Sequence, residues 1–374
     1  MPRETILTAA LARLARLPFL FAARQPVTPP RKALILKPCC VSQAMLTTPL
    51  LAALCEAYPQ ARFDWAISDW ARPVVVGNPR LTEIISTGPG GVDGMSWRDV
   101  REVVQTIRAE EYDTCFIPSR SSMLSLMAWM AGIPQRVGLH VSGRGFADTL
   151  AVSPPSGNTN EAVVYLSLAT AVGVNADTVT SVGMEFYPPD ADRTAVTRRL
   201  VDEVDWLGDK PLVILHPGGG QNPVRTDERK QWPLERFVLL GNHLVRRHGA
   251  QILLVGAAAD KPLADKIAGL MSAPAANWAG RASLGQVGAL AEVADLYIGH
   301  DAGPTHIAAA VGCPTLAIFG PSRPAISAPY ATRGKVVSLW HESVRPFTWE
   351  DRVPVSEAIA AADRLLEKRK IDEQ

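Results

Sequence analysis

Four stretches in the second half of the 374-residue chain carry side chains suited to holding an anion and a sugar. In "LVILHPGGGQ" an apolar run ends at His216 and passes through Pro217 into Gly218, Gly219 and Gly220. Consecutive glycines let backbone N–H groups approach a diphosphate closely, although they also suit a plain flexible turn. "RTDERKQWPLERF" then supplies Arg225, Arg229 and Lys230. Arg225 and Arg229 read first as a solvated charged face, whereas Lys230 stands just before a helix opened by Pro233, where a point charge can neutralise phosphate. "QILLVGAAAD" ends on Asp260, which is either a ribose acceptor or the N-cap of a helix starting near Pro262. The densest constellation is "YIGHDAGPTHIAAA": His300 and Asp301 follow an apolar run, and Ala302, Gly303 and Pro304 open a helix with His306 on its first turn. Free N–H groups and the dipole favour a phosphate at such a start, leaving Asp301 to orient sugar hydroxyls. His306 is either a core histidine bonded to a backbone carbonyl or catalytic support.

These residues follow apolar runs, so the elements that position them are buried strands, and ligands of open parallel sheets bind beyond the carboxyl ends of strands. From Ala33 onward short apolar strands alternate with longer amphipathic segments, the pattern of βαβ units. Strands are expected near 33–37, 62–67, 83–86, 113–117 and 136–139, with helices near 44–58, 97–109, 121–131 and 160–172. "EFYPPDADR" breaks the pattern, and a second series follows: a helix near 192–204, then strands near 212–215, 251–255, 295–299 and 315–319. Ser356 caps a closing helix near 356–368. Two α/β domains of ordinary size result.

With 38 basic and 37 acidic residues the net charge is +1, so no global field recruits nucleic acid, and an anionic ligand must be held locally. The five cysteines, with Cys39 and Cys40 adjacent, do not form an even disulfide framework, and thiols in a cytoplasmic protein are expected. No CxxC or His/Cys cluster suggests a metal. "GPGGVDG" at 88–94 has Asp93 where a dinucleotide fingerprint needs its third glycine, and no P-loop occurs. "PDAD" at 189–192 reads as a turn and cap rather than a metal site. Near the N-terminus, Leu7, Leu11, Leu14 and Phe21 share one helical side while Arg13, Arg16 and Arg24 lie on another and Pro18 interrupts. That segment is too short and charged to span a membrane or act as a signal peptide. It suits an interfacial helix in peripheral membrane contact, a helix packed on the protein, or a partly disordered arm.

"HPGGG" with "KQWPLERF", "LLVGAAAD", the run from Ala279 to Pro321, and "MLTTPLLAALCEAYPQARFDWAI" with "VGNPRLTEII" resemble family 9 glycosyltransferases, the ADP-heptose lipopolysaccharide heptosyltransferases and their relatives, over residues 33–345. The resemblance implies a GT-B fold of two Rossmann-like parallel-sheet domains facing across a cleft. Residues 1–30 form an extension, 31–186 the acceptor side, 192–345 the nucleotide-sugar domain and 346–374 a tail with its closing helix. The implied substrates are a nucleotide diphosphate sugar and a glycolipid or cell-surface polysaccharide acceptor, at the inner face of the cytoplasmic membrane. The implied transfer inverts the anomeric centre and uses no metal or other cofactor. The family's phosphate lysine falls on Lys230, its nucleoside-side acid on Asp260, its donor-site aspartate on Asp301, and the following glycine and histidine on Gly303 and His306. Ala302 replaces a hydroxyl residue. His216, Gly218 and Gly219 complete the implied donor site.

The same resemblance exposes a departure. In "ILKPCCVSQAMLTTP", aligned without a gap, Lys37 matches a basic residue and Ser42–Gln43 replace a Gly-Asp pair whose aspartate is the family's proposed general base. A carboxamide offers hydrogen bonds but no basic site. An aspartate restored at 43 is expected to sit among apolar neighbours such as Met45 and Leu46. Two readings follow: a glycosyltransferase whose base has moved or become dispensable, with Asp227 or Glu228 available to compensate, and a catalytically silent sugar-nucleotide- or glycan-binding relative.

Overall fold

The computed structural model describes residues 27–91, 95–219, 227–342, 347–350 and 352–372, with side chains up to 367. The N-terminal amphipathic segment, Asp93, Gly220 and Arg225 lie outside the described residues. Two compact units divide the chain, 1–182 and 183–374.

The first unit is built on a six-stranded sheet of order β3-β2-β1-β4-β5-β6: Lys32–Leu36, Arg62–Ile67, Ile84–Ser86, Thr114–Ile117, Gln135–Leu139 and Leu150–Val152 for β1 to β6. Every pairing is parallel, and β1 lies between β2 and β4, with Ile35 opposite both Trp65 and Phe116. The apolar runs "ALIL" and "TCFI" are fully buried, as strands covered on both faces require. Past β1 come the single turn Val41–Met45 and the helix Thr48–Ala57, which has proline at its first turn.

The second unit repeats this order. Strands β7 to β12 are Leu212–His216, Gln251–Leu254, Ala275–Asn277, Leu296–His300, Thr315–Ile318 and Val336–Leu339, arranged β12-β11-β10-β7-β8-β9, all parallel. Counted from its first strand, each sheet runs 3-2-1-4-5-6. Successive residues of β7 point to opposite faces: Val213 and Leu215 pack with Phe237, Leu240, Leu365 and Leu366, while Leu212 and Ile214 pack with Trp278, Leu290 and Leu200. The closing helix, Val355–Asp372, thus covers the face that also carries helix Leu234–His248. Among the described residues, no helix is long and apolar enough to cross a membrane.

Cys39 and Cys40 are joined to each other in a disulfide across a cis peptide, which corrects the expectation of five thiols. Adjacent cysteines can close on one another without any wider framework, which is why spacing alone did not announce the pair. Cys55, Cys115 and Cys313 are thiols.

Candidate functional site

In each unit the strand order reverses beside the first strand, between β1 and β4 and between β7 and β10, the place where open parallel sheets leave a crevice at their carboxyl edge. In the second unit His216 ends β7 opposite Gly299, and His300 ends β10. His300 is fully buried: its Nε2 accepts the Trp232 N–H at 2.8 Å and its Nδ1–H donates to the Gly218 carbonyl at 2.8 Å. Burial pulls its pKa down to about 3, so the ring is neutral and its tautomer is set by these two partners. One side chain therefore ties the glycine loop to the turn that carries Lys230.

The loop itself is shaped by Asp260. Its carboxylate, 5% exposed, accepts the Ala257 N–H at 2.8 Å and the Gly219 N–H at 3.4 Å. A Cβ on Gly218 would fall 2.0 Å from the Asp260 Cγ, so only glycine admits this contact. Gly219 has φ +104°, and a Cβ there would lie 3.3 Å from Ala302 Cβ. The glycine loop and the start of helix Gly303–Ala310 are therefore neighbours. Ala302 caps that helix without a side-chain hydrogen bond, and Pro304 sits in its first turn. Burial lowers the pKa of His216, against the opposing pull of Asp260.

Lys230 lies in the short 3-10 turn Glu228–Lys230, and its Nζ donates to Asp301 Oδ2 at 2.7 Å and to the Asp301 carbonyl at 3.0 Å. Burial pushes the Asp301 carboxyl up, but His306 and Lys230 outweigh it and hold it well below the usual carboxylate range. His306 Nε2 stands 3.9 Å from Asp301 Oδ1, and neither of its ring nitrogens has a hydrogen-bond partner among the described residues. The carbonyl-bonded core histidine foreseen as one alternative does not form. Arg229 is paired with Asp227 at 2.7 Å, so those two groups occupy each other. The turn is braced from behind by the tail: Trp349 Nε1 donates to the Arg229 carbonyl, Trp232 Nε1 to the Val353 carbonyl, and Arg236 to the carbonyls of Trp349 and Arg352.

In the first unit Lys37 follows β1 and is buried. Its Nζ donates to the Pro118 carbonyl beyond β4 at 2.8 Å and to Tyr165 OH at 3.0 Å. Burial pulls its pKa down to about 7, against Glu161, which is itself held by both oxygens on Arg120. Gln43 is exposed on the turn Val41–Met45, whereas Met45 and Leu46 are buried. The apolar surroundings expected at position 43 are therefore absent, because Met45 and Leu46 point into the core and Gln43 does not.

Lys230, Asp301, Ala302, Gly303, His306, His216, Gly218, Gly219 and Asp260 all belong to the β7–β10 crevice; Gln43 belongs to the first unit. The sequence reading left His300 without a role, and its only signal was its place at a strand end beside Asp301. Among the described residues, no group of three metal-ligating side chains forms in this crevice.

Residues 100–353 match the family model described as Glycosyltransferase family 9 (heptosyltransferase). The chain is 25% identical over 313 residues to lipopolysaccharide heptosyltransferase 2 of Escherichia coli (strain K12), covering 82% of this chain and 88% of that one. A crystal structure of a family 9 glycosyl transferase from Veillonella parvula superposes with a TM-score of 0.77 at 22% identity, over 90% of this chain and 97% of the other. The E. coli heptosyltransferase WaaC with ADP gives 0.67 at 14% identity, over 89% and 99%. These likenesses show the GT-B fold.

Proposed function

The chain belongs to glycosyltransferase family 9, and from that premise we propose that it transfers a heptose-like sugar from a nucleoside diphosphate to a lipopolysaccharide-type acceptor, with inversion and without a divalent metal. An acceptor hydroxyl oxygen attacks the anomeric carbon from the face opposite the diphosphate. The new C–O bond forms as the sugar–phosphate bond breaks, the bond's electron pair leaves with the diphosphate, and the hydroxyl proton passes to solvent. The relatives carry heptosyltransferase names, and one solved neighbour holds ADP, so an adenine nucleotide is the first donor to try.

The observation that carries this reading is the meeting of Gly218, Gly219, Lys230 and the start of helix Gly303–Ala310 at one sheet edge. Backbone N–H groups and a lysine ammonium give a leaving diphosphate the positive surroundings that a cation would otherwise supply. Asp301 aims Lys230, and Asp260 holds the loop open through backbone N–H groups. Gln43 orients an acceptor hydroxyl without taking its proton. Catalysis then rests on positioning and leaving-group stabilisation, lacking the ~10²–10⁴-fold that a general base contributes. The reaction belongs on the cytoplasmic side, where a nucleotide sugar meets a membrane-held acceptor.

The test is calorimetry with ADP, GDP and UDP in EDTA, followed by single-turnover transfer from ADP-heptose to a lipooligosaccharide acceptor by wild type and Gln43→Asp. Binding of ADP with slow transfer, faster in Gln43→Asp, is expected. No heat with any nucleotide at millimolar concentration overturns the donor site. Binding with no transfer by either protein assigns the chain to the silent relatives.

A further inference from the structure

A second cluster of ionisable groups lies on the face covered by the closing helix. His243 and His248 stand toward the C-terminal end of helix Leu234–His248, and Asp363 projects from helix Val355–Asp372. His243 Nε2 is 3.0 Å from Asp363 Oδ1 and 3.1 Å from Oδ2, while His248 Nε2 is 2.7 Å from the same Oδ1. The two rings are tilted by 69° with centroids 6.4 Å apart. Two imidazole nitrogens and one carboxylate oxygen thus converge within 4.8 Å of one another.

A tetrahedral ion with bonds of ~2.0–2.1 Å holds its ligand atoms about 3.3 Å apart. The contacts of 2.7–3.1 Å fall a few tenths of an ångström short of that edge, a gap that small side-chain torsions close. The donor set discriminates among ions: imidazole with one carboxylate suits zinc and its first-row neighbours, whereas magnesium and calcium require mostly oxygen. Access is available, since the His243 and Asp363 side chains are 26% and 23% exposed while His248 is 5% exposed and held in place.

We propose that His243, His248 and Asp363 bind one first-row divalent transition metal, best matched by zinc, with water completing its coordination. The ion clamps the closing helix to helix Leu234–His248. It takes no part in transfer: His243 lies nine residues beyond Leu234, roughly 14 Å along the helix axis from the end that follows Lys230. The clamp does not depend on the donor or acceptor assigned above.

Full-length protein stripped with EDTA and then desalted is titrated with zinc chloride by calorimetry, and with cobalt(II) while visible absorption is recorded. One equivalent per chain is expected, with cobalt d–d bands of a low-coordinate nitrogen–oxygen site, and zinc should raise the unfolding midpoint. His243→Gln and Asp363→Asn should each weaken zinc by at least the roughly 10–100-fold lost when a mere outer partner of a metal ligand is removed. Both variants should keep the single cooperative denaturant transition of metal-free wild type, which reports that the unit is folded; if one fails to fold, the other decides. No heat and no cobalt band at millimolar metal, or zinc binding unchanged in a folded variant, overturns the site.

Discussion

Lys230→Met removes the positive partner of a carboxylate that is 8% exposed, and its consequences for stability and for binding can be worked separately. Removing one partner of a buried pair costs about 3–5 kcal/mol, because the other charge is left uncompensated. Lys230 itself is 27% exposed, so solvent screening brings the expected loss to about 2–3 kcal/mol. The double variant Lys230→Met/Asp301→Asn carries no stranded charge and should recover at least about 1 kcal/mol of that loss. The sign with pH follows from the depressed Asp301 carboxyl. Its contribution is complete above the unfolded value near 4, is lost as pH falls below it, and shrinks when Lys230 is absent. For ADP, one charge-assisted contact is worth about 1.5–3 kcal/mol, so affinity should drop roughly ten- to more than a hundredfold. Denaturant unfolding followed by tryptophan fluorescence gives the stabilities, and calorimetry in EDTA gives the affinities. Single and double variants that add to within about 0.5 kcal/mol, or an ADP affinity unchanged in Lys230→Met, would refute the coupled pair and its role at the diphosphate.

Gly218→Ala places a Cβ 2.0 Å from the Asp260 Cγ and should displace that carboxylate from the loop. Overpacking of this kind costs about 1–3 kcal/mol, and an ADP thermal shift as large as that of wild type would show that the loop does not hold the nucleotide. Arg229→Ala, which breaks only the exposed pair with Asp227, should leave ADP affinity within about twofold, since such pairs contribute roughly 0–1 kcal/mol; a loss equal to that of Lys230→Met would mean that the charge run acts as a diffuse patch. Lys37 has a folded pKa of about 7 against an unfolded value near 10.4, so between these values the unfolded chain holds a proton that the folded chain has released. Stability should therefore rise by about 2 kcal/mol from pH 7 to pH 9, and Lys37→Met should abolish the rise; an equal slope in the variant sinks that assignment.

The strands that frame both crevices were legible because they are continuous apolar runs bounded by glycine or proline. β6, β9 and β12 were not: "LAV", "AAN" and "VVSL" are three or four residues long and mostly half-exposed edge strands, with no run for a pattern to build on. The Lys230 and Asp301 positions could be read from local sequence, but their mutual ion pair spans 71 residues and could not. His300 is the sharper case, since its partners Gly218 and Trp232 lie 82 and 68 residues away and no local spacing encodes either contact. Asp260 was balanced between capping and sugar binding, and both of its oxygens accept backbone N–H groups. The exposure of Gln43 depends on which way a single helical turn faces, and five residues are too few for a periodicity to show it.

The identical strand orders of the two sheets set up a contrast in proton inventory. At the reversal in the second unit, the buried bridge between loops is an imidazole that titrates near pH 3 and therefore carries one proton, on one nitrogen, throughout the neutral range. At the corresponding reversal in the first unit, the bridge from β1 to the residue after β4 is an amine that titrates near pH 7. A shift of one pH unit about neutrality leaves the charge of His300 unchanged and changes that of Lys37. The same topological position thus holds a bridge indifferent to acidity in one unit and a bridge responsive to it in the other.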